Sequence, residues 1–293
     1  MSTITTTSTS TSTSTTIPTT PDEEAGSALA TAVRSDTDVS HRVTLRRVTS
    51  SEWLKFRSVR SNLVALLGSA AAAIGLGALF ASLAGSDDGP QRLGNDALSL
   101  SLGGFEMSQL VVAILGVALV AGEYQTGLVR TWFAAAPSRL RVLAAKIGVY
   151  GASAFVVTLV AATLAFLAGQ AVFSGEALTL VDDGVLQALV GTAFYAACIG
   201  VMGIGLGFLL RSTAAGAGAV VTTLMIAPIL VNLLPDSIAD PVGKILPSNA
   251  GSALRGVSTN SELLSAGWGL AVLLAWVAAI VGAAAISLRR RDA

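Results

Sequence analysis

Nine consecutive residues, Gly122-Glu123-Tyr124-Gln125-Thr126-Gly127-Leu128-Val129-Arg130, bring together a carboxylate, a phenol, a turn-forming glycine and a guanidinium. They follow directly on the apolar run Leu110 to Ala121, and Arg139-Leu140-Arg141 comes before a second apolar run that opens near Lys146. Ionised side chains of these types make charge-assisted hydrogen bonds, which suits them to recognising another polar surface. Polar density pinned between two apolar segments reads as a docking element more than a spacer. Glu123 can receive a basic side chain from a partner, or it can lie against Arg130 and merely anchor the end of the span. Gly127 allows a turn there, and Tyr124 can sit at headgroup level with its hydroxyl in water.

Other chemistry is missing. No Gly-x4-Gly-Lys-Ser/Thr loop occurs, so ATP hydrolysis by that route is excluded. Neither a His-Glu-x-x-His helix nor a Gly-x-Ser-x-Gly elbow is present. Gly151-Ala152-Ser153-Ala154 faintly resembles the serine motif of rhomboid intramembrane proteases, but that chemistry needs a histidine base on another span, and the one histidine is His41. With a single cysteine, Cys198, an intrachain disulfide is excluded and a His/Cys metal site is not expected. Gly203-Ile204-Gly205-Leu206-Gly207 is apolar throughout and follows no strand, so it is not a nucleotide-binding loop. Gly203 and Gly207 form a GxxxG pair that lets two helices approach closely. We expect no catalytic residue, no metal and no cofactor bound by the chain itself.

The elements that must hold these residues are membrane spans. Of 293 residues, 53% are hydrophobic and 12% charged, against about 45–50% and about 25% in soluble domains. Six apolar stretches run at about 62–84, 108–122, 147–168, 185–210, 213–234 and 267–288. The second is shorter than the roughly 20 residues a span needs, so it must borrow flanking residues or thin the bilayer. Only Arg211-Ser212 separates the fourth from the fifth, which demands a tight hairpin. Residues 236–266 mix Pro241, Pro247 and Gly251 with apolar side chains, fitting equally a short helix or an ordinary loop. Trp53, Trp132 and Trp268 fall where interfacial aromatic belts would lie.

Ahead of the spans, residues 1–40 are Ser/Thr-rich and then acidic, too poor in large apolar side chains to order themselves, and they lack the apolar core of a secretory signal. Residues 41–61 turn basic, and Thr49-Ser50-Ser51-Glu52 has the form of a capping box that starts a helix near Ser50. Phe56, Val59 and Leu63 share a side of that helix, with Trp53 at its edge and Arg57 and Arg60 snorkelling, so it reads as an interfacial helix. Equal numbers of basic and acidic residues, 18 of each, point to no nucleic-acid partner. Their distribution orients the chain. If the N-terminus is inside, seven basic residues precede the first span, four lie between the second and third, and Arg211 with Arg289-Arg290-Arg291 brings the inside total to fifteen. Arg92, Lys244 and Arg255 remain outside, so both termini are read as cytoplasmic. No ionisable side chain sits at mid-depth in any span, so a transport cycle would take its energy from outside the chain.

From Ser51-Glu52-Trp53-Leu54-Lys55-Phe56-Arg57-Ser58 onward the sequence resembles the permease subunits of ABC-2-type transporters, especially the actinobacterial kind. Gly122-Glu123-Tyr124-Gln125-Thr126-Gly127 with Arg130, Pro137-Ser138-Arg139, Ala144-Ala145-Lys146 and the ending Arg290-Arg291-Asp292-Ala293 continue the resemblance over about residues 48–293. It implies an all-α membrane protein in which residues 62–293 form six transmembrane helices behind an interfacial elbow helix, in a bacterial plasma membrane. It also implies an exporter subunit without its own ATPase activity, surrounded by membrane lipid and paired with a second permease copy or homologue. A separate nucleotide-binding subunit would use ATP and Mg. The elbow maps to Glu52, Trp53, Lys55, Phe56, Arg57 and Arg60. The surface coupled to the ATPase maps to Glu123, Tyr124, Gln125, Thr126, Gly127, Arg130 and Arg139. Segments between the fifth and sixth spans often re-enter the membrane in this family, which would fit residues 236–266. The competing reading is a non-transporting scaffold or sensor subunit of a membrane complex.

Overall fold

A computed structural model describes residues 44–84, 97–128, 139–172, 178–256 and 265–290. The Ser/Thr-rich segment 1–40, Arg130, Trp132, Pro137-Ser138 and the terminal Arg291-Asp292-Ala293 lie outside the described residues. The described residues contain helices and turns and no strand.

Helix α1 (Leu45–Ser58) is followed, after a break at Val59, by α2 (Arg60–Ala84). A short α3 (Ala97–Leu102) leads into α4 (Phe105–Gln125), and α5 (Arg139–Val172) returns. Next come α6 (Val185–Leu210) and α7 (Thr213–Val221), the latter continuing through a π-helical turn at Thr222–Ile226 into α8 (Ala227–Val231). Two short helices, α9 (Asp236–Ile245) and α10 (Pro247–Arg255), precede the last, α11 (Ala266–Arg290).

Six of these stretches are long and apolar enough to cross a membrane: Arg60–Leu83, Leu98–Gln125, Arg139–Ala171, Val185–Leu210, Thr213–Val231 and Ala266–Arg290. The second span gains its length by borrowing at both ends. At 21 residues α4 is about 32 Å long, enough for a hydrocarbon layer of about 30 Å. In contrast α5, with 34 residues, is about 51 Å long and overshoots that layer, so Arg139 and Arg141 stand on its first turn rather than in a loop.

Two sequence expectations about α1 are overturned. The helix starts at Leu45, not near Ser50, and Thr49-Ser50-Ser51-Glu52 lies inside it. Instead of capping, Thr49 Oγ1 donates to the Leu45 carbonyl (3.0 Å) and Ser51 Oγ to that of Val48 (2.8 Å). Hydroxyls bonded back in this way are tolerated within a helix, which frees the Glu52 carboxylate for a partner elsewhere. Nor do Phe56, Val59 and Leu63 share one helical face: Val59 is extended (φ −82°, ψ 91°) and 42% exposed, whereas Phe56 is buried.

The bundle is built around α6, which packs most extensively against α4 and then against α5. Within its most apolar window 72% of α6 is buried and 61% of the α4 window, but only 17% for α11 and 22% for the fifth span. The outlying helices thus turn most of their apolar surface outward, as a lipid solvent allows. Glycines set the α4–α6 spacing. A methyl group added at Gly203 would run into the Ala113 carbonyl oxygen, and one at Gly207 would lie 2.9 Å from the Val117 carbonyl oxygen and the Val120 Cβ.

The α6–α7 hairpin is as tight as its two-residue connection demands. Arg211 adopts the left-handed conformation (φ 52°) with its N–H on the Gly207 carbonyl, and Ser212 caps α7 by accepting from the Ala215 N–H. Residues 236–256 fold as two helices, not an open loop. Helix α10 packs on α6 and α11, and Trp276 Nε1 donates to the Ile245 carbonyl at 2.8 Å.

Charge divides between the two ends of the bundle. Helix α1, the start of α5, Arg211 and the C-terminal turn of α11 with Arg289 and Arg290 gather at one end, where Phe56, Leu143, Phe208 and Leu288 share a core. At the other end stand Glu106, Asp182, Asp183, Asp236 and Asp240, with Lys244 and Arg255.

Candidate functional site

Four charged side chains meet at the basic end of the bundle. Glu52 and Lys55 come from one face of α1, Glu123 from the last turn of α4, and Lys146 from α5. Lys146 Nζ lies 2.8 Å from Glu52 Oε2 and 2.9 Å from Glu123 Oε1. Lys55 Nζ lies 3.4 Å from Glu52 Oε1 and also contacts Glu123 Oε1. The result is a closed ring of alternating sign with no net charge.

Burial ranks its members. The side chains of Lys146 and Glu52 are 5% and 6% exposed, that of Glu123 12%, and that of Lys55 24%. A buried ammonium survives only where carboxylates replace its hydration, and Lys146 has two. Glu123 also stands at the C-terminal end of α4, where the helix dipole disfavours an anion, and the two lysines offset that field. Because three elements each contribute a charge, the ring fixes α1 across the ends of α4 and α5.

The residues after Glu123 turn to a second contact. The Tyr124 ring stands edge-on to Phe208 at 6.3 Å, with the Arg211 guanidinium 4.9 Å above its centroid. Its hydroxyl oxygen is buried, contrary to the expectation of a wet hydroxyl, because the left-handed cap at Arg211 folds the guanidinium over the ring. Gln125 Nε2 donates to Thr213 Oγ1 at 3.3 Å, joining α4 to the α6–α7 hairpin. Thr126 back-bonds to the Gly122 carbonyl (3.0 Å), and Gly127 takes the left-handed conformation (φ 73°) that ends the helix.

The expected coupling residues therefore separate into two sets. Glu123 and Tyr124 face the chain's own interior, whereas Gln125, Thr126, Gly127 and Leu128 form the exposed tip. Arg139 opens α5 and is half-buried, while Arg130 lies outside the described residues. Of the elbow residues, Glu52 and Phe56 are buried and Lys55 is partly covered, while Trp53, Arg57 and Arg60 are exposed. Glu123 takes its basic partners from Lys55 and Lys146, neither of which the local sequence suggests.

Sequence reasoning missed Lys146 as a site residue. The available signal was a lysine at the head of an apolar span, which needs a carboxylate partner once buried. It also missed a second ionic contact at the opposite end. There Arg255, 5% exposed at the end of α10, pairs with Glu106 in the first turn of α4, and Gln109 Nε2 donates to Glu106 Oε2 at 2.8 Å. The Arg255 guanidinium lies 5.5 Å from the Tyr195 ring centroid, and its Nε donates to the Gly251 carbonyl.

Beside the ring of four lies a cavity of about 330 Å³ that reaches from Glu52, Lys55, Glu123 and Lys146 inward to Tyr150 and Ile204. Among the described residues no group of His, Cys, Asp and Glu is placed to hold a metal. No family model matches the chain, and no curated protein matches it.

Proposed function

We propose that this chain is the membrane-spanning permease subunit of an ATP-driven exporter of the ABC-2 type. The observation that carries the reading is the ring of Glu52, Lys55, Glu123 and Lys146, which joins the helix ahead of the first span to the ends of the second and third. Such a joint suits a surface that receives force from a separate nucleotide-binding subunit using ATP and Mg. The exposed tip at Gln125–Leu128 is the part that meets that subunit, with Arg139 at the start of α5 and, two residues beyond the tip in sequence, Arg130. Glu123 and Tyr124 pass its displacement to α1 and to the α6–α7 hairpin.

In this reading the basic end of the bundle is cytoplasmic, consistent with the rule that cytoplasmic segments collect lysine and arginine. Helix α1 is the interfacial elbow, with Trp53 and Leu54 facing lipid and Arg57 and Arg60 at the headgroups of a bacterial plasma membrane. Helices α9 and α10 form a re-entrant element from the outer side. Trp276, which bonds Ile245, stands ten residues into α11, about 15 Å along it. The mostly exposed spans leave room for a second permease copy or homologue.

The test is affinity capture of the tagged chain from its native membranes, followed by reconstitution. Recovery of a protein with a Walker A loop, and ATP-dependent transport only when both are present, is the expected result. Transport by the chain alone, or transport that follows a proton gradient and ignores ATP, refutes the proposal. Capture without any ATPase, with the Gln125–Leu128 tip dispensable for phenotype, would favour a scaffold.

A further inference from the structure

The cavity beside the charged ring has the form of an amphiphile site. Its inner walls are Phe56, Ala118, Leu119, Val149, Tyr150 and Ile204, all apolar or presenting an aromatic ring. The Tyr150 hydroxyl spends its hydrogen on the Val112 carbonyl at 2.5 Å, so it has no donor left for a guest. Along α4 the lining runs from Ala118 to Thr126, a depth of about 12 Å. The mouth is bordered by Val59, at the break between α1 and α2, and by the exposed Thr126 and Leu128. Gly122 lies on the wall, and a methyl group added there meets nothing within 4 Å. A volume of about 330 Å³ is at the small end of ligand-binding pockets, and apolar cavities take up apolar guests where they do not hold ordered water.

We propose that this cavity binds the head-proximal part of one acyl chain of a phosphoethanolamine-headed lipid, whose head group docks on the ring of Glu52, Lys55, Glu123 and Lys146. The ring decides the head group. It presents two ammonium and two carboxylate groups with no net charge, so neither a bare anion nor a bare cation is favoured over the existing pairs. A zwitterion adds no net charge and offers its phosphate to Lys55 and its ammonium to Glu123, the two members whose side chains are the more exposed. A primary ammonium donates hydrogen bonds to those carboxylates, which a quaternary choline has no N–H to do, and charge-assisted bonds of this kind are the strong ones. The second acyl chain stays outside the mouth, in the surrounding bilayer. The inference needs only that the bundle lies in a membrane and does not depend on the permease reading.

The experiment uses the full chain in nanodiscs made from equal parts of palmitoyl-oleoyl phosphatidylethanolamine, phosphatidylcholine and phosphatidylglycerol. Native mass spectrometry then counts the lipids retained on release. One retained phosphatidylethanolamine per chain is expected, favoured about tenfold over the other two, a preference set by a single strong polar contact. Gly122→Leu, which fills the cavity and leaves the charges intact, should abolish retention. Gly218→Leu, on α7 at a position where an added Cβ meets nothing within 4 Å, should not. Ala118→Leu serves as a second filling variant should Gly122→Leu not yield folded protein. Equal retention of all three lipids, or undiminished retention in a folded filling variant, overturns the proposal. An ATPase capture that fails while lipid retention succeeds would sink the permease reading and leave this one standing.

Discussion

Replacing Lys146 with methionine tests the central energetic argument. The substitution keeps roughly the length and apolar stem of the side chain and removes only the ammonium, leaving Glu52 and Glu123 without their most buried counter-charge. Breaking a buried pair from one side costs about 3–5 kcal/mol, because the surviving charge loses its partner without regaining water. Lys55 still touches both carboxylates, so the lower end applies, about 3 kcal/mol. At about 2–4 °C per kcal/mol for a bundle of this size, the melting temperature should fall by about 6–12 °C. Lys55→Met is the internal comparison. That lysine is 24% exposed and should cost less than about 1 kcal/mol. Thermal melts of both variants in the same nanodiscs read the difference. A second arm replaces the three most buried members, Glu52, Glu123 and Lys146, together by leucine and leaves the more exposed Lys55 to solvent, which should recover much of the loss, since apolar residues substitute well for buried ions. A Lys146→Met melting temperature within about 2 °C of the parent, the range of an ordinary surface change, would refute the reasoning.

Three further outcomes follow from backbone and packing. Gly203→Ala should cost about 1–3 kcal/mol by forcing α6 away from the Ala113 carbonyl, while Gly218→Ala, with open space around it, should be neutral or up to about 1 kcal/mol stabilising; melts of the pair check this. Gly127→Ala places a side chain at φ 73° and should destabilise the end of α4 by about 1–2 kcal/mol, seen as faster hydrogen exchange confined to residues near the tip. Arg255→Leu frees a Glu106 side chain that is already 46% exposed and able to rehydrate, so global stability should change little, but exchange across 236–256 should accelerate as α10 loses its tie to α4.

The six spans were legible because each is a long apolar window bounded by charge, and the Arg211-Ser212 hairpin because two residues leave no alternative. Gly127 and the Gly203–Gly207 pair were equally readable, since each marks a backbone demand that glycine alone meets without strain. What escaped the sequence is pairing at a distance. Glu123 was weighed against an outside partner and its neighbour Arg130, yet its partner Lys146 is 23 positions away, while Lys146 and Glu52 are 94 apart and Arg255 and Glu106 are 149 apart. No periodicity encodes such meetings, which depend on how three helices cross. The capping-box pattern at Thr49–Glu52 misled because it lies inside a helix that already begins at Leu45, and the Glu52 carboxylate is held by Lys55 and Lys146 instead. At residues 236–256 the mix of prolines and apolar side chains left helix and loop equally open, and the helix forms because Pro247 occupies the first turn of α10, where its missing N–H costs nothing.

Helix α4 carries an ion-paired glutamate at each end, Glu106 on Arg255 and Glu123 on Lys55 and Lys146. Its composition is therefore freer than its length. Inserting or deleting one residue anywhere between the two glutamates turns one end by about 100° about the helix axis and shifts it by about 1.5 Å. Either glutamate could keep its partners only if the other lost them. Conservative substitutions along the apolar middle should be tolerated in an insertion-and-substitution scan, while single-residue insertions from 107 to 122 should either cost the buried Glu123 pairing, seen as a drop in melting temperature, or, where the Glu106 end turns instead, loosen residues 236–256 as Arg255→Leu does.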